Sequence, residues 1–146
     1  MTDEIHTQVM DVLASVLREQ DWSRMGEVFA PDATLEYPQS RERFQGLDNI
    51  VAQFANYPEL DPGGSELQEV IAEPKVYALT PSYTVIGIEG SGARGTAIIR
   101  VRYPDGSLWW TINVYELRDG LIHRSRAYFA PDFDAPDWRA PYREAP

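Results

Sequence analysis

At 146 residues, with 43% hydrophobic, 12% aromatic and 25% charged side chains, the chain has the size and chemistry of one compact domain and none of the apolar poverty of disorder. A net charge of −10, with 13 lysines and arginines and no basic run, argues against nucleic acid, and no stretch approaches the roughly 18 apolar residues of a membrane span. With no cysteine and two histidines lacking HxH or HxxxH spacing, disulfides, sulfur nucleophiles and thiolate metal sites are excluded, and neither cofactor nor metal is expected.

Asp3 and Glu4 come early without a following apolar run, so the start is not a secretory signal, and the expected compartment is the cytoplasm. Ile5, Val9, Val12, Leu13, Val16 and Leu17 recur at helical spacing behind Thr2, a possible N-cap. His6 stands one residue off that stripe and reads as surface. A second helix is predicted from Asp21 to Ala30, carrying Trp22, Met25, Val28 and Phe29, and ended by Pro31. Ala33–Tyr37 reads as a short strand. Gly46 then introduces a third helix with Leu47, Ile50, Val51, Phe54 and Tyr57 on its apolar face, stopped by Pro58.

A turn-rich stretch, 60–65, precedes six strand-like runs: 67–72, 76–79, 83–88, 96–103, 108–117 and 121–129. Asp105-Gly106 and Asp119-Gly120 are hairpin signals, and the cluster Gly90-Ser91-Gly92-Ala93-Arg94-Gly95 reads as a loop between strands, not as a nucleotide motif. Helices first and antiparallel strands afterwards make an α+β fold in which the helices cover one sheet face. The Pro-rich tail 131–146 carries Phe133, Trp138 and Tyr142, too aromatic for simple disorder, and is expected to pack on the single domain or on a second subunit.

Three segments carry a family likeness: Trp22 with Val28-Phe29-Ala30-Pro31-Asp32-Ala33-Thr34-Leu35-Glu36-Tyr37-Pro38, then Phe44-Gln45-Gly46-Leu47-Asp48-Asn49-Ile50, then Tyr115-Glu116-Leu117-Arg118-Asp119-Gly120-Leu121-Ile122. Together they resemble the SnoaL-like branch of the nuclear-transport-factor-2-like superfamily, which includes ketosteroid isomerases, polyketide cyclases and limonene epoxide hydrolase. The resemblance implies a cone-shaped barrel, with three N-terminal helices packed on a strongly curved mixed, mainly antiparallel sheet around a pocket. It does not supply a reaction, because this scaffold hosts enzymes, binding proteins and assembly modules.

Strand parity selects the pocket side chains. A three-residue Arg118-Asp119-Gly120 loop would set Tyr115 across from His123, Asn113 from Ser125, Thr111 from Ala127 and Trp109 from Phe129. Arg124 and Arg126 share the other face, and unpaired arginines seldom line a dry cavity, so the odd-numbered face is read as inward. Trp109, Thr111, Tyr115, Ser125 and Phe129 then line the pocket, with Tyr57 and Phe54 contributed by the third helix as lid or core.

His123 is the candidate proton carrier, since its ordinary pKa lies near operating pH. By the resemblance, Asn113 occupies the place where ketosteroid isomerases keep a protonated aspartate as oxyanion donor, and an amide donates there without pKa tuning. The bland alternative is a cross-strand Asn113–Ser125 hydrogen bond. The chain departs from those enzymes at Tyr37, which stands where they place the general-base aspartate, and at Leu13, which replaces their helical tyrosine. Arg126 and Ala127 stand where polyketide cyclases carry tryptophan and an acid-base aspartate. Tyr37 remains as a phenolic hydrogen-bonding group.

Arg100 and Arg102 divide two loop geometries. A two-residue turn at Asp105-Gly106 brings both arginines inward to hold a carboxylate; a three-residue loop turns them outward and brings Ile99 and Val101 in. The functional expectation is a protein with a pocket for a small apolar molecule, with cofactor-free isomerase, cyclase or lyase chemistry on a carbonyl compound as one reading. A non-catalytic binding or dimerisation module is the alternative. A homodimer is expected through the outer face bearing Trp110, Ile112, Val114, Arg124 and Tyr128.

Overall fold

A computed structural model describes residues 2–57, 77–80, 83–103 and 106–145. Helix α1 spans Glu4–Glu19 and ends where Gln20 turns left-handed (φ 51°), with the Gln20 and Asp21 amides closing on the carbonyls of Leu17 and Val16. A 3-10 turn over Trp22–Glu27 leads into β1 (Phe29–Tyr37), β2 (Glu42–Gln45) and α2 (Leu47–Ala55). Five strands follow: β3 (Tyr77–Thr80), β4 (Tyr83–Ser91), β5 (Arg94–Arg102), β6 (Leu108–Arg118) and β7 (Leu121–Pro131). A last 3-10 turn covers Asp137–Tyr142.

The seven strands form one open, curved sheet in the order β2-β1-β7-β6-β5-β4-β3, antiparallel except for the parallel β1–β7 pair. The α+β architecture with a curved, mixed sheet is therefore the observed one. Its core lies between the inward sheet face and α1, whose His6, Val9, Met10, Leu13, Val16 and Leu17 are buried. Helix α2 packs on β1 and β2, while α1 lies over β3 and β4.

Several local expectations are corrected. The second helix is only a 3-10 turn, and Phe29 and Ala30 belong to β1, because Phe29 pairs with Ile122 and the Val28 carbonyl accepts from the Ile122 amide. Pro31 sits within that strand where the β1–β7 register breaks, between Phe29 and Thr34, so its missing N–H interrupts no regular ladder. The edge strand β2 has no sequence counterpart among the expected elements; its Glu-Arg-Phe-Gln is short and charged, as protected edges are. Gly46, at φ 87°, makes the sharp turn from β2 into α2 and donates its amide to the Ala33 carbonyl at 2.7 Å. The N-cap of α1 is Asp3, not Thr2, and the Asp3 carboxylate accepts from the Gly92 amide at 2.7 Å. The expected strand over 67–72 and the turn-rich 60–65 lie outside the described residues.

His6 overturns the surface expectation. It is fully buried, with Nε2 3.0 Å from the Gly92 carbonyl and Nδ1 3.1 Å from the Tyr115 hydroxyl. A carbonyl can only accept, so Nε2 carries the proton and the Tyr115 phenol donates to Nδ1. Gly90 and Gly95 make the room: a Cβ at either would collide with the His6 ring, and at Gly95 with the Tyr115 phenol as well. The glycine cluster is, as expected, the β4–β5 hairpin, with Ser91 paired to Arg94. His6 in fact belongs to the buried stripe, at i, i+3, i+4 and i+7 with Val9, Met10 and Leu13.

Burial pushes the Tyr115 phenol up to about 12. A raised folded-state value favours the neutral phenol, so this contribution to stability is whole below the ordinary value near 10 and is lost as pH rises through about 12. Tyr115→Phe should leave buried Nδ1 without a donor and cost about 1–3 kcal/mol, a melting-temperature drop of several degrees at neutral pH. Its stability should also fall less steeply than the parent's between pH 10 and 12 in alkaline titrations followed by circular dichroism.

Candidate ligand-binding face

Residues facing the helices alternate along each central strand. On β6 the inward set is Trp109, Thr111, Asn113, Tyr115 and Leu117, and Thr111, Tyr115 and Leu117 are buried while their even-numbered neighbours are more exposed. The odd-numbered face of β6 is therefore inward, and from Ser125 onward so is that of β7: Ser125 and Ala127 are buried, Arg124, Arg126 and Tyr128 exposed.

The register differs from expectation by two residues. The β6–β7 turn is the two-residue Asp119-Gly120, with φ 53° and 78°, and pairs Arg118 with Leu121 and Leu117 with Ile122. The ladder then slips between Leu117 and Glu116, which pairs with Arg124, so His123 is the extra residue of a bulge. Tyr115 accordingly faces Ser125, Asn113 faces Ala127, Thr111 faces Phe129 and Trp109 faces Pro131. The bulge also inverts parity at the tip, and Ile122, not Leu121, enters the core.

Across the sheet these pairings make rows. Gly95, Tyr115, Ser125 and Leu35 form one, sealed by His6. In the next, Ala97 and Ala127 flank Asn113, and Tyr37, which follows the Glu36–Arg126 pair, stands level with Ala127 on β1. Two strand spacings put Asn113 and Tyr37 about 10 Å apart at the backbone, with only an alanine methyl between. Asn113 remains half-buried although it faces inward, and its amide reaches Thr111 Oγ1 at 3.5 Å. Asn113 is thus an inward polar group that keeps some accessibility between two alanines.

The other candidate residues fall into distinct settings. The Tyr37 ring packs edge-on against Phe44 and Phe129, both with centroids 5.0 Å away, and its hydroxyl donates to Gln53 Oε1 at 2.7 Å. Trp109 meets Tyr103 edge-on at 5.7 Å, Tyr57 stacks on Tyr103 at 5.8 Å, and Phe54 stacks on Trp22 at 6.4 Å. Tyr115 is committed to His6 and sealed in the core. The Asn113–Ser125 hydrogen bond is not formed, since the register separates the two by a pair.

His123 lies four residues along β7 from Ala127, about 13 Å from the Asn113 row, in the bulge beside β1. Its Nδ1 is buried and has no hydrogen-bond partner. Nearby, Asp32 accepts a hydrogen bond from Arg118, which holds its carboxyl below the usual range. The structure thus brings Asn113 and Tyr37 to one row and puts His123 at the hairpin end.

Arg100 and Arg102 face outward, opposite Trp110 and Leu108, while Ile99 and Val101 are buried. The β5–β6 register, Arg102 opposite Leu108 with the Tyr103 amide bonded to the Ser107 carbonyl, is the one expected for outward arginines. Gln53 was missed by sequence reasoning because an amide among Ile50, Val51 and Phe54 looks like a solvated position; a polar residue three after a core isoleucine was the available signal. Among the described residues no group of three His, Asp or Glu is placed to hold a metal ion. Nor is any helix there long and apolar enough to cross a membrane.

Residues 9–125 match the family model of the SnoaL-like domain. The chain belongs to that family. Structurally, this SnoaL-like chain is similar to an NTF-2 like protein of unknown function from Burkholderia xenovorans, at 23% identity, TM-score 0.75, and coverage of 99% of this chain and 98% of that one. A candidate ketosteroid isomerase from Kribbella flavida is similar at 18% identity and TM-score 0.72, covering 97% and 90% of the two chains. An LEH-like epoxide hydrolase from M. tuberculosis matches at 15% identity and TM-score 0.59, over 87% and 84%. At these identities the likeness is one of fold. No curated protein matches the sequence significantly.

Tyr37→Phe should keep the ring between Phe44 and Phe129 but remove the donor to Gln53, whose Nε2 is already buried without a partner. A loss of about 1 kcal/mol is expected, read as a lower urea midpoint at unchanged m-value.

Proposed function

We propose that this SnoaL-like protein binds a small, mainly apolar molecule bearing a carbonyl or similar acceptor, on the inward face between α1 and α2. The observation that carries the reading is Asn113: an amide that keeps residual accessibility on the inward face, bracketed by Ala97 and Ala127. Its Nδ2 has two N–H groups and, among the described residues, one long contact, to Thr111, so a ligand oxygen can take a better-directed hydrogen bond. Phe129 on the next row and Trp109 on the row beyond it supply apolar surface for the rest of the molecule. We place this role in the cytoplasm, a reading that rests on composition.

Binding is favoured over proton-transfer catalysis because the Asn113 row carries no carboxylate or imidazole, and the Tyr37 phenol is engaged with Gln53. A catalytic reading draws on the buried, unpartnered Nδ1 of His123, which would act as proton carrier for a ligand long enough to span from Asn113 to the bulge.

A matched pair of probes separates the readings. 2-Acetylnaphthalene should bind about fivefold tighter than 2-ethylnaphthalene, followed by quenching of tryptophan emission, because one hydrogen bond is worth about 1 kcal/mol. Asn113→Leu should abolish the difference while leaving the hydrocarbon's affinity intact. Equal binding of the two probes by the parent would remove Asn113 from the site. His123→Gln should leave both affinities unchanged; if it instead stopped turnover of a ketone, the catalytic reading would replace the binding one.

A further inference from the structure

Strand β1 stops short of the strand it lies beside. Its parallel pairing with β7 runs Thr34 to Arg124, Leu35 to Ser125 and Glu36 to Arg126, so the next residues in that register are Tyr37 with Ala127, Pro38 with Tyr128 and Gln39 with Phe129. The ladder does not go on, because Pro38 has no N–H to give. The chain leaves β7 there in a tight turn. The Arg41 amide closes on the Pro38 carbonyl at 3.3 Å, Arg41 takes a left-handed φ of 60°, and β2 runs back along β1. Strand β7, by contrast, continues to Pro131 with β6 as its main-chain partner.

Gln39 makes good the missing strand with its side chain. Its Nε2 donates to the Phe129 carbonyl at 2.7 Å, and its Oε1 accepts from the Phe129 amide at 2.5 Å. A carboxamide is planar and carries acceptor and donor side by side as a peptide group does, so it stands in for the main chain of the very residue that the register would have placed there. The residue so held matters to the inward face. Phe129 stands opposite Thr111, one row from Asn113, and its ring meets Tyr37 edge-on at 5.0 Å. Without the clamp, both main-chain groups of Phe129 on the side that β1 vacates would turn to water, and the end of β7 would be tied from one side only.

We infer that Gln39 is a positioning residue for the binding face: by holding the Phe129 main chain from the vacated side, it keeps that ring as a fixed wall for the apolar body of the ligand, a role that rests on Phe129 lining the site as already proposed. Gln39 acts through Phe129, since its own amide is spent on the main chain. The effect is one of population, with ligand affinity falling in proportion to the fraction of molecules that have the wall in place. What the clamp favours is therefore the flat apolar body of the ligand, while Asn113 takes its oxygen.

Amide exchange followed by NMR and titration with the two naphthalenes test this role. Gln39 is exposed, so Gln39→Ala should stay folded by circular dichroism. In that variant the Phe129 amide should exchange about tenfold faster than in the parent, while the Tyr115 amide keeps its protection. 2-Ethylnaphthalene should bind Gln39→Ala about threefold more weakly, and 2-acetylnaphthalene should lose the same factor, because the bond to Asn113 is untouched. Made in a Phe129→Ala background, the same substitution should leave the hydrocarbon's affinity unchanged, which a general loosening of the fold would not do. Phe129→Leu serves as the background if the alanine variant is unfolded. Equal exchange at Phe129 in parent and Gln39→Ala, an unchanged affinity for the hydrocarbon, or the same loss in the Phe129-substituted background would each overturn the role. Failure of the Asn113 reading shows differently, as equal binding of the two naphthalenes by the parent, and leaves these three measurements readable with the hydrocarbon alone.

Discussion

The buried bridge from His6 to Tyr115 and Gly92 fixes how the helical layer sits on the sheet. Both ring nitrogens are used, one donating to a backbone carbonyl and the other bonded to a phenol, so the orientation of the ring is determined. Because the bridge joins the first turn of α1 to the β4–β5 hairpin and to the middle of β6, it seals the Tyr115 row and pins the helix over one end of the inward face. The Asp3 carboxylate on the Gly92 amide ties the same corner from the backbone side. What the bridge closes at Tyr115 defines what stays accessible one row further on, at Asn113.

That division also explains which side chains are polar and where. Inward, polar atoms are few and mostly satisfied: Tyr37 by Gln53, Tyr115 by His6, Trp109 by Ser107. Outward, arginines lie flat on aromatics or reach acids, as Arg100 does on Trp110 and Asp132. The same period-two alternation produces both faces, so a single strand such as β6 carries a largely buried surface on one side and an exposed aromatic and aliphatic surface on the other.

Alternation was the most legible feature of the sequence. The inward set on β6 followed from it, as did the outward placement of Arg124 and Arg126. The cross-strand pairs did not, because register depends on turn length and bulges: Asp119-Gly120 closes in two residues, and one extra residue at His123 restores the face while sliding each partner by two. His6 was misread because its stripe was drawn through Ile5 and Val12, when the buried line runs through Met10 and Ala14. Those are small or flexible side chains that signal a core weakly. Strand β2 was invisible for a different reason, being four mostly exposed residues whose extended form comes from pairing with β1 and packing against α2.

The parallel pairing of β1 with β7 has a consequence for how the chain is made. Phe29 finds its partner at Ile122, and Leu35 at Ser125, so the strand nearest the start of the sheet waits for nearly the whole polypeptide to leave the ribosome before its inner edge is occupied. Until then the Phe29–Tyr37 backbone has only the short β2 beside it, a template open to strangers during translation. Pro31, lacking an amide hydrogen, and the exposed Asp32 next to it sit on that waiting edge, where each discourages a foreign strand from adding on.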